Sequence, residues 1–339
     1  MQRHIPLTLY LALCALITAA FQFNWISAYL QTVLMFIGIN IMLCSSLNLV
    51  NGYMGEFSCG HGGFMAVGAY VASILNVWLF TTNDIFGEAL LDPKMSVFLV
   101  PVTLFIGGVA AAITGLLVAI PSFRTRGDYL AVITLAVTYI IKSTLENIQT
   151  IGGARGFMGM RKVVDATSEL ANLPWLAIWI LAFVGLTIWV LHRLVTSTYG
   201  KGISAMRDDE IAAEVMGVNT KKMKLVGFLV SSGIAGIAGG LFAHVLGYIN
   251  PGSFSVMKST EVMVMVYLGG VASLSGSVIS AISFTLLMEL LRPLQVFKWI
   301  LIPLLLIILM IFRPEGIMGN RELTDLFPKI RRLFPRRKM

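Results

Sequence analysis

The residues best suited to specific interactions lie between Thr196 and Lys224, in a polar stretch of an otherwise apolar chain. The stretch reads TSTYGKGISAMRDDEIAAEVMGVNTKKMK, and apolar runs flank it on both sides. A membrane protein that keeps a charged segment with interspersed small residues is expected to present it to a cytosolic partner. The chemistry predicted here is therefore protein docking.

This stretch predicts one helix from Ser204 to Met216. Ser204 is a suitable N-cap, and Gly217 can end the helix in a left-handed conformation. At 100° per residue, two opposite faces are predicted. One carries Arg207, Glu210 and Glu214, and the other carries Ala205, Ala212 and Met216. A face of small side chains fits a groove on another protein; the alternative is a solvated connector helix that rests on the bundle.

Motifs for catalysis, nucleotide binding and metal binding are missing from the sequence. Gly200-Lys201-Gly202 lacks the spacing of a phosphate loop, and neither HExxH nor Gly-x-Ser-x-Gly occurs. The three cysteines, at positions 14, 44 and 59, lie in apolar segments without CxxC spacing, so they are interpreted as small hydrophobic residues. The sequence thus predicts no catalytic and no metal-binding residues.

The composition is that of an integral membrane protein. Hydrophobic residues make up 57% of the 339 and charged residues 12%, about half of the ~25% usual in soluble domains. Several runs exceed the ~18 apolar residues of a transmembrane candidate. The fold class predicted is all-α, a polytopic transmembrane helix bundle of about ten spans (8–10). The spans are predicted at 5–23, 26–50, 57–80, 97–120, 128–148, 174–194, 223–247, 259–273, 276–292 and 298–312.

Basic residues set the predicted orientation. The net charge is +8, and seven lysines and arginines crowd positions 321–338. Basic clusters beside spans favour the cytoplasmic side, whereas nucleic-acid binding is the less favoured explanation of a basic tail. We therefore predict two cytoplasmic termini, a transmembrane domain over 1–320 with a cytoplasmic loop over 196–224, and a basic tail over 321–339. The first apolar run is interpreted as an uncleaved helix instead of a signal peptide.

Two segments, 52–70 and 261–281, are rich in glycine, and one lies in each half of the chain. Gly-interrupted helices at corresponding positions in two halves are typical of a transport path. Close helix packing through small residues is the alternative explanation. The residues predicted to line a path are Glu56, Gly60, His61, Gly62, Gly63, Gly269 and Gly270.

Six segments together carry a family resemblance. DDEIAAEVMGVN resembles the coupling-loop motif of permeases of ATP-binding cassette (ABC) importers, although Ile211 stands where the general motif has Glu. RTRGDYLAVITL, the Gly-rich stretch ending in GHGG, LGGVASLSG with Ala272 in place of Gly, and RPEGIMG follow the pattern of the LivM-type branch. IGGARG resembles a further loop, with Ile151 in place of Thr. The resemblance covers nearly the whole chain.

The resemblance implies a bacterial inner-membrane permease for branched-chain amino acids. It implies as partners a paralogous permease subunit, two ATP-binding cassette subunits and a periplasmic solute-binding protein, within a lipid membrane. ATP and Mg²⁺ would bind the cassette subunits, and this chain would hold no cofactor. The residues expected to couple to the ATPase are Arg207, Asp208, Asp209, Glu210, Ala212, Ala213 and Gly217.

Other functions stay open at this point. A permease for urea or short amides shares the family pattern. A self-sufficient secondary transporter or channel would need paired intramembrane charges, for which few candidates occur at mid-span. An intramembrane enzyme would need a catalytic motif, and neither HExxH nor Gly-x-Ser-x-Gly occurs in the sequence.

Overall fold

A computed structural model describes residues 5–23, 25–82, 87–92, 95–123, 129–170 and 173–297. Beyond these it describes residues 300, 303–304, 307–308, 311–312 and 316–319. The predicted basic tail, Arg124, Arg126 and most of the predicted span 298–312 lie outside the described residues.

The described chain is almost entirely helical. The helices are α1 (Ile5–Gln22), α2 (Ala28–Asn48), α3 (His61–Phe80), α4 (Ser96–Ser122), α5 (Tyr129–Asn147), α6 (Met160–Leu170), α7 (Trp175–Thr196), α8 (Thr198–Asp208), α9 (Glu210–Val215), α10 (Thr220–Leu246), α11 (Val256–Gly269) and α12 (Leu274–Leu290). A π-helical turn, Leu49–Tyr53, extends α2, and 3₁₀ turns lie at Gln149–Ile151, Gly153–Arg155, Pro251–Phe254 and Arg292–Phe297. Two short strands, β1 (Phe157–Met158) and β2 (Tyr248–Ile249), pair antiparallel.

The spans confirm the predicted all-α polytopic bundle. Within the described ranges, six helical segments are long and apolar enough to cross a membrane: Ala28–Tyr53, α3, α4, α5, α7 and α10. Residues 8–22 of α1 and helix α12 form shorter apolar helices. Uninterrupted apolar runs in the sequence predicted these spans. Because a chain in lipid must satisfy its backbone hydrogen bonds within each span, such runs form helices.

The centre of the bundle is formed by α3, α4 and α10, which pack in close contact. Small residues permit this approach, since a Cβ on Gly68 would overlap the backbone of Gly236 in α10 and a Cβ on Gly107 would lie 2.7 Å from the Gly68 carbonyl oxygen. In lipid, where the hydrophobic effect does not drive helices together, such backbone proximity is a main source of attraction.

A fully buried polar network joins the same three helices. Thr103 Oγ1 donates to Asn76 Oδ1 over 2.7 Å, and Asn76 Nδ2 lies 2.9 Å from His244 Nε2. The other ring nitrogen of His244, Nδ1, lies 2.7 Å from the Gly240 carbonyl oxygen. Because Asn76 donates to Nε2, Nδ1 carries the proton, and the ring satisfies both nitrogens. The network fixes the register of α3, α4 and α10.

Residues 149–173, between the predicted spans 128–148 and 174–194, are not an irregular loop. They contain two of the 3₁₀ turns, β1 and the amphipathic helix α6, whose Met160 and Val163 are buried. Strand β1 pairs with β2 at the end of α10, and Tyr248 donates from its hydroxyl to the Arg155 carbonyl oxygen over 2.6 Å. Helix α10 spans ~40 Å at 1.5 Å per residue, so this cap lies at the opposite end of the bundle from α8 and α9.

Candidate docking site

The predicted helix from Ser204 to Met216 is wrong in its boundaries, because the polar stretch forms two helices. Helix α8 begins earlier, with Ser197 as N-cap, and buries Ile203 and Met206. It ends at Asp208, and the next residue, Asp209, is extended. Asp209 then caps α9, since its Oδ1 accepts from the Ala212 amide over 3.0 Å. The two predicted faces therefore never form, as Ala205 and Arg207 belong to α8.

An ion pair and a hydrogen bond hold the polar side of helix α9 against the bundle. Glu210 Oε1 lies 2.8 Å from Lys224 Nζ, and Glu214 Oε1 accepts from Thr220 Oγ1 over 2.6 Å. Both partners belong to the first turns of α10. Ala213 is buried beneath the helix. These contacts hold α9 in one orientation on the bundle.

The opposite side of α9 is apolar and exposed. Ile211, Val215 and Met216 are 76%, 81% and 83% exposed, and Ala212 lies among them and is also exposed. Positions 211, 212, 215 and 216 share one helical face. A surface helix usually buries its apolar face. In α9 this face is exposed together with Glu210 and Glu214, so it is a candidate surface for another protein; we name Ile211, Ala212, Val215 and Met216 the docking face.

Gly217 sets the position of this face. It follows the C-cap of α9 with φ +84°, and its amide donates to the Glu214 carbonyl oxygen over 2.9 Å. The Val218 amide donates to the Ala213 carbonyl oxygen over 3.0 Å. The chain thus reverses within two residues and enters α10 at Thr220. Of the other predicted coupling residues, Arg207 and Asp208 pair with each other at 3.1 Å.

The first Gly-rich segment forms an irregular connector between α2 and α3, residues 54–60. Asn51 Oδ1 accepts from the Ser58 amide over 3.1 Å, and the Gly62 amide in the first turn of α3 donates to Ser259 Oγ of α11 over 2.9 Å. Side chains thus satisfy backbone donors that a continuous helix would have satisfied. In the same connector, burial raises the pKa of the Cys59 thiol, which therefore stays protonated at neutral pH.

The second Gly-rich segment forms the joint between α11 and α12, residues 270–273. Asn48 of α2 holds it: Nδ2 donates to the Ser273 carbonyl oxygen over 2.9 Å, and Oδ1 accepts from the Ala272 amide over 3.0 Å. The two Gly-rich segments meet here, because a Cβ on Gly52 would lie 2.5 Å from the Ala272 nitrogen. Residues 317 and 318 cover the joint by donating to the carbonyl oxygens of residues 268 and 269.

Replacing Ala272 with glycine is expected to stabilise the protein. Ala272 has φ +64°, a left-handed conformation that costs a residue with a Cβ ~1–2 kcal/mol. Glycine removes that strain, but it also raises the conformational entropy of the unfolded chain, which offsets part of the stabilisation. The net increase in the free energy of unfolding is therefore about 0.5–1 kcal/mol. Thermal unfolding of the purified protein in detergent measures the shift. Ala281→Gly in the helical interior of α12 is the matched control and should lower the melting temperature; a fall with Ala272→Gly as well would contradict the strain.

The predicted path residues lie around these two segments. Gly60, His61, Gly62 and Gly63 are buried at the start of α3, and Gly269 and Gly270 are buried at the end of α11. A Cβ on Gly63 would lie 3.1 Å from the Thr138 backbone of α5. In this conformation they pack helix against helix, and their role in a path stays a prediction.

His61 has an unusual environment. Its Nε2 lies 3.2 Å from Ser46 Oγ and 3.2 Å from Ser231 Oγ. Both hydroxyls donate to carbonyl oxygens, those of Leu43 and Ser46, so Nε2 must carry the proton and donate to them. Nδ1 is buried without a hydrogen-bond partner. The neutral ring ties α3 to α2 and α10.

Sequence reasoning missed the residues that hold the two Gly-rich segments and α9 in place. Asn48 carried a usable signal, because an amide within an apolar span is costly unless it has buried partners. Lys224 carried none, since it is one of three lysines in four residues. Among the described residues, no group of three or more His, Cys, Asp or Glu side chains is arranged to hold a metal ion.

Residues 29–312 match the family model described as branched-chain amino acid transport system / permease component. The high-affinity branched-chain amino acid transport system permease protein LivM of Escherichia coli K12 is 31% identical over 304 residues, which cover 83% of this chain and 68% of that protein. A second permease protein of that description from the same strain, LivH, is 23% identical over 83% of this chain and 91% of its own length. A probable LivM of Methanocaldococcus jannaschii is 20% identical over 87% and 94%. No solved structure matches the chain.

Proposed function

Because the chain belongs to the family of branched-chain amino acid transport system permease components, we propose that it moves branched-chain, hydrophobic amino acids across the bacterial inner membrane. It is a multi-pass membrane protein and a transport permease subunit. Its relatives are permease components, which are not themselves enzymes. We propose that ATP and Mg²⁺ bind separate ATP-binding cassette subunits.

The docking face is the observation that supports ATP-driven transport. A single-chain secondary transporter does not need a solvent-exposed apolar face on a helix that polar contacts hold against the bundle. A permease driven by a separate ATPase needs a surface that binds that ATPase. The proposed contact is the docking face of α9 seated in a groove of a cassette subunit, with Gly217 fixing its angle. Under this proposal α8, α9 and both termini lie in the cytoplasm, and β1, β2 and α6 lie on the periplasmic side.

The proposed mechanism is alternating access. ATP-driven closure of two cassette subunits would move α9, and α8 and α10 would carry the movement into the bundle. A ligand shifts a conformational equilibrium only by its differential affinity for the two states. The cassette groove must therefore bind α9 differently in the two states. The path would open beside the connector at residues 54–60 and the joint at residues 270–273.

The likeness to two permeases of one organism supports a heteromeric partner. The chain is 31% identical to LivM and 23% identical to LivH of the same strain. We propose that it pairs with a paralogous permease subunit and receives its substrate from a periplasmic solute-binding protein. Residues 1–320 would form the permease domain, and residues 321–339 would form a basic cytoplasmic tail.

Uptake by reconstituted vesicles tests the function. We expect vesicles that contain this chain, its paralogue and the two cassette subunits to accumulate labelled leucine when ATP is inside the vesicle and the binding protein outside. Omitting the cassette subunits should abolish accumulation, because this chain has no phosphate loop. Labelled urea in a parallel assay, with the urea-binding homologue of the solute receptor, separates the short-amide alternative. Uptake by this chain without cassette subunits would contradict the proposal.

A further inference from the structure

An ion-paired lysine lies between the docking helix and the first Gly-rich connector. Lys224 Nζ is 2.6 Å from Glu56 Oε1 in the connector and 2.8 Å from Glu210 Oε1 in α9. The lysine side chain is 12% exposed and that of Glu56 is 19% exposed. One ammonium group therefore joins α10, α9 and the connector. Its pair with Glu56 is largely shielded from solvent, whereas the Glu210 side chain is 47% exposed.

The surroundings of Lys224 limit its movement. Its ammonium also lies 5.9 Å from the ring centroid of Phe123, at the end of α4, within reach of a cation–π contact. Two carboxylates share one ammonium, so the removal of that charge would leave Glu56 and Glu210 to repel each other. Burial strengthens the attraction between Lys224 and Glu56, because solvent screens it less than it screens a surface pair.

The connector touches the docking region at a second place. A Cβ on Gly55 would lie 2.7 Å from Cγ of Arg207 in α8, so the connector backbone rests directly on that side chain. Adjacent residues of the connector thus contact α8 by packing and α9 through the lysine. No such arrangement holds for Lys142, whose partner Glu146 is four residues away on the same helix.

We propose that Lys224 is a positioning residue that couples movement of α9 to the connector between α2 and α3. The proposal rests on the proposed function and deepens it. Because the carboxylates of α9 and the connector are each within 3 Å of one ammonium, a displacement of α9 must either carry Lys224 and the connector along or break one of the two ion pairs. Movement of the connector reaches α3 at His61.

Lys224→Met tests the proposal, since methionine keeps the length and apolar stem and removes the charge. In vesicles with all partner subunits, we expect the variant to assemble with the cassette subunits, because the Glu214–Thr220 hydrogen bond and the buried Ala213 still hold α9 on the bundle. The amount of leucine transported per ATP hydrolysed should fall at least about fivefold, the lower end of the range for coupling between sites. Lys142→Met is the matched control and should leave this ratio unchanged.

Two further variants make the result decisive. Glu56→Gln cuts the link to the connector with little change in shape and should lower the ratio by at least about twofold; it is the deciding variant if the Lys224→Met protein does not accumulate in the membrane. Lys224→Arg keeps the charge and should recover transport per ATP, which a role in packing alone would not produce. An unchanged ratio in Lys224→Met or Glu56→Gln, with wild type active, would overturn the coupling role. An inactive wild-type assembly would instead contradict the proposed function.

Discussion

Gly217→Val is expected to abolish ATP-driven uptake while the chain still folds and inserts. Gly217 has φ +84° and is exposed, and a Cβ there would meet nothing within 4 Å. The cost is therefore conformational, ~1–2 kcal/mol for a left-handed residue with a Cβ and more for a β-branched one. Such a penalty reduces the population of the docking-competent turn about 5- to 30-fold. ATP hydrolysis stimulated by the binding protein should fall by at least about tenfold.

Two matched variants separate backbone strain from loss of contact. Asparagine tolerates the left-handed conformation, so Gly217→Asn should keep much more activity than Gly217→Val. Met216→Asp leaves the turn intact and places a charge on the docking face, and it should abolish stimulation as Gly217→Val does. Co-purification of the paralogous permease checks that each variant is folded. Full stimulation in both Gly217→Val and Met216→Asp would show that α9 is not the contact with the ATPase.

Gly68→Ala is expected to prevent stable folding. The new methyl group would overlap the carbonyl oxygen, Cα and carbonyl carbon of Gly236, and none of these backbone atoms can rotate away. Helices α3 and α10 would have to separate, which would also disturb the hydrogen bonds between Asn76, Thr103 and His244. Overpacking costs ~1–3 kcal/mol where side chains can adjust, and we expect at least the upper end here.

The control for this variant lies on the partner helix α10, three residues before Gly236. Gly233 of α10 also faces α4, but a Cβ there would lie 3.4 Å from the Ala112 Cβ, which is an ordinary contact. Gly233→Ala should therefore be tolerated, and alanine's better helix propensity offsets any small strain. Monodispersity and thermal unfolding of fluorescently tagged protein in detergent distinguish the two variants. Equal stability of Gly68→Ala and Gly233→Ala would mean that the α3–α10 contact is not tight.

The polar stretch shows where local sequence reasoning reached its limit. Ser197, Ser204 and Asp209 are all suitable N-caps, so capping preference alone could not choose among them. The structure uses Ser197 and Asp209, because α8 must bury Ile203 and Met206 while Glu210 reaches Lys224. A single helix over 204–217 could not satisfy both requirements.

The Gly-rich segments show the same limit. Their composition predicted interrupted helices, and both interruptions are present, at residues 54–60 and 270–273. That they touch each other, and that Asn48 holds the second, depends on packing between residues more than 200 positions apart. Periodicity along one segment carries no information about such a partner.

The sequence by itself determined that the chain is a membrane-spanning helical bundle and which stretch of it is polar, because the cost of burying charge and unpaired backbone in lipid depends on local composition. The family resemblance could also be stated from motifs alone. Only the tertiary structure decided which side of α9 faces outward, which lysine joins the docking helix to the connector, and which glycines bring helices into contact. These depend on distances between separate helices, and such distances are set by the packing of the whole bundle.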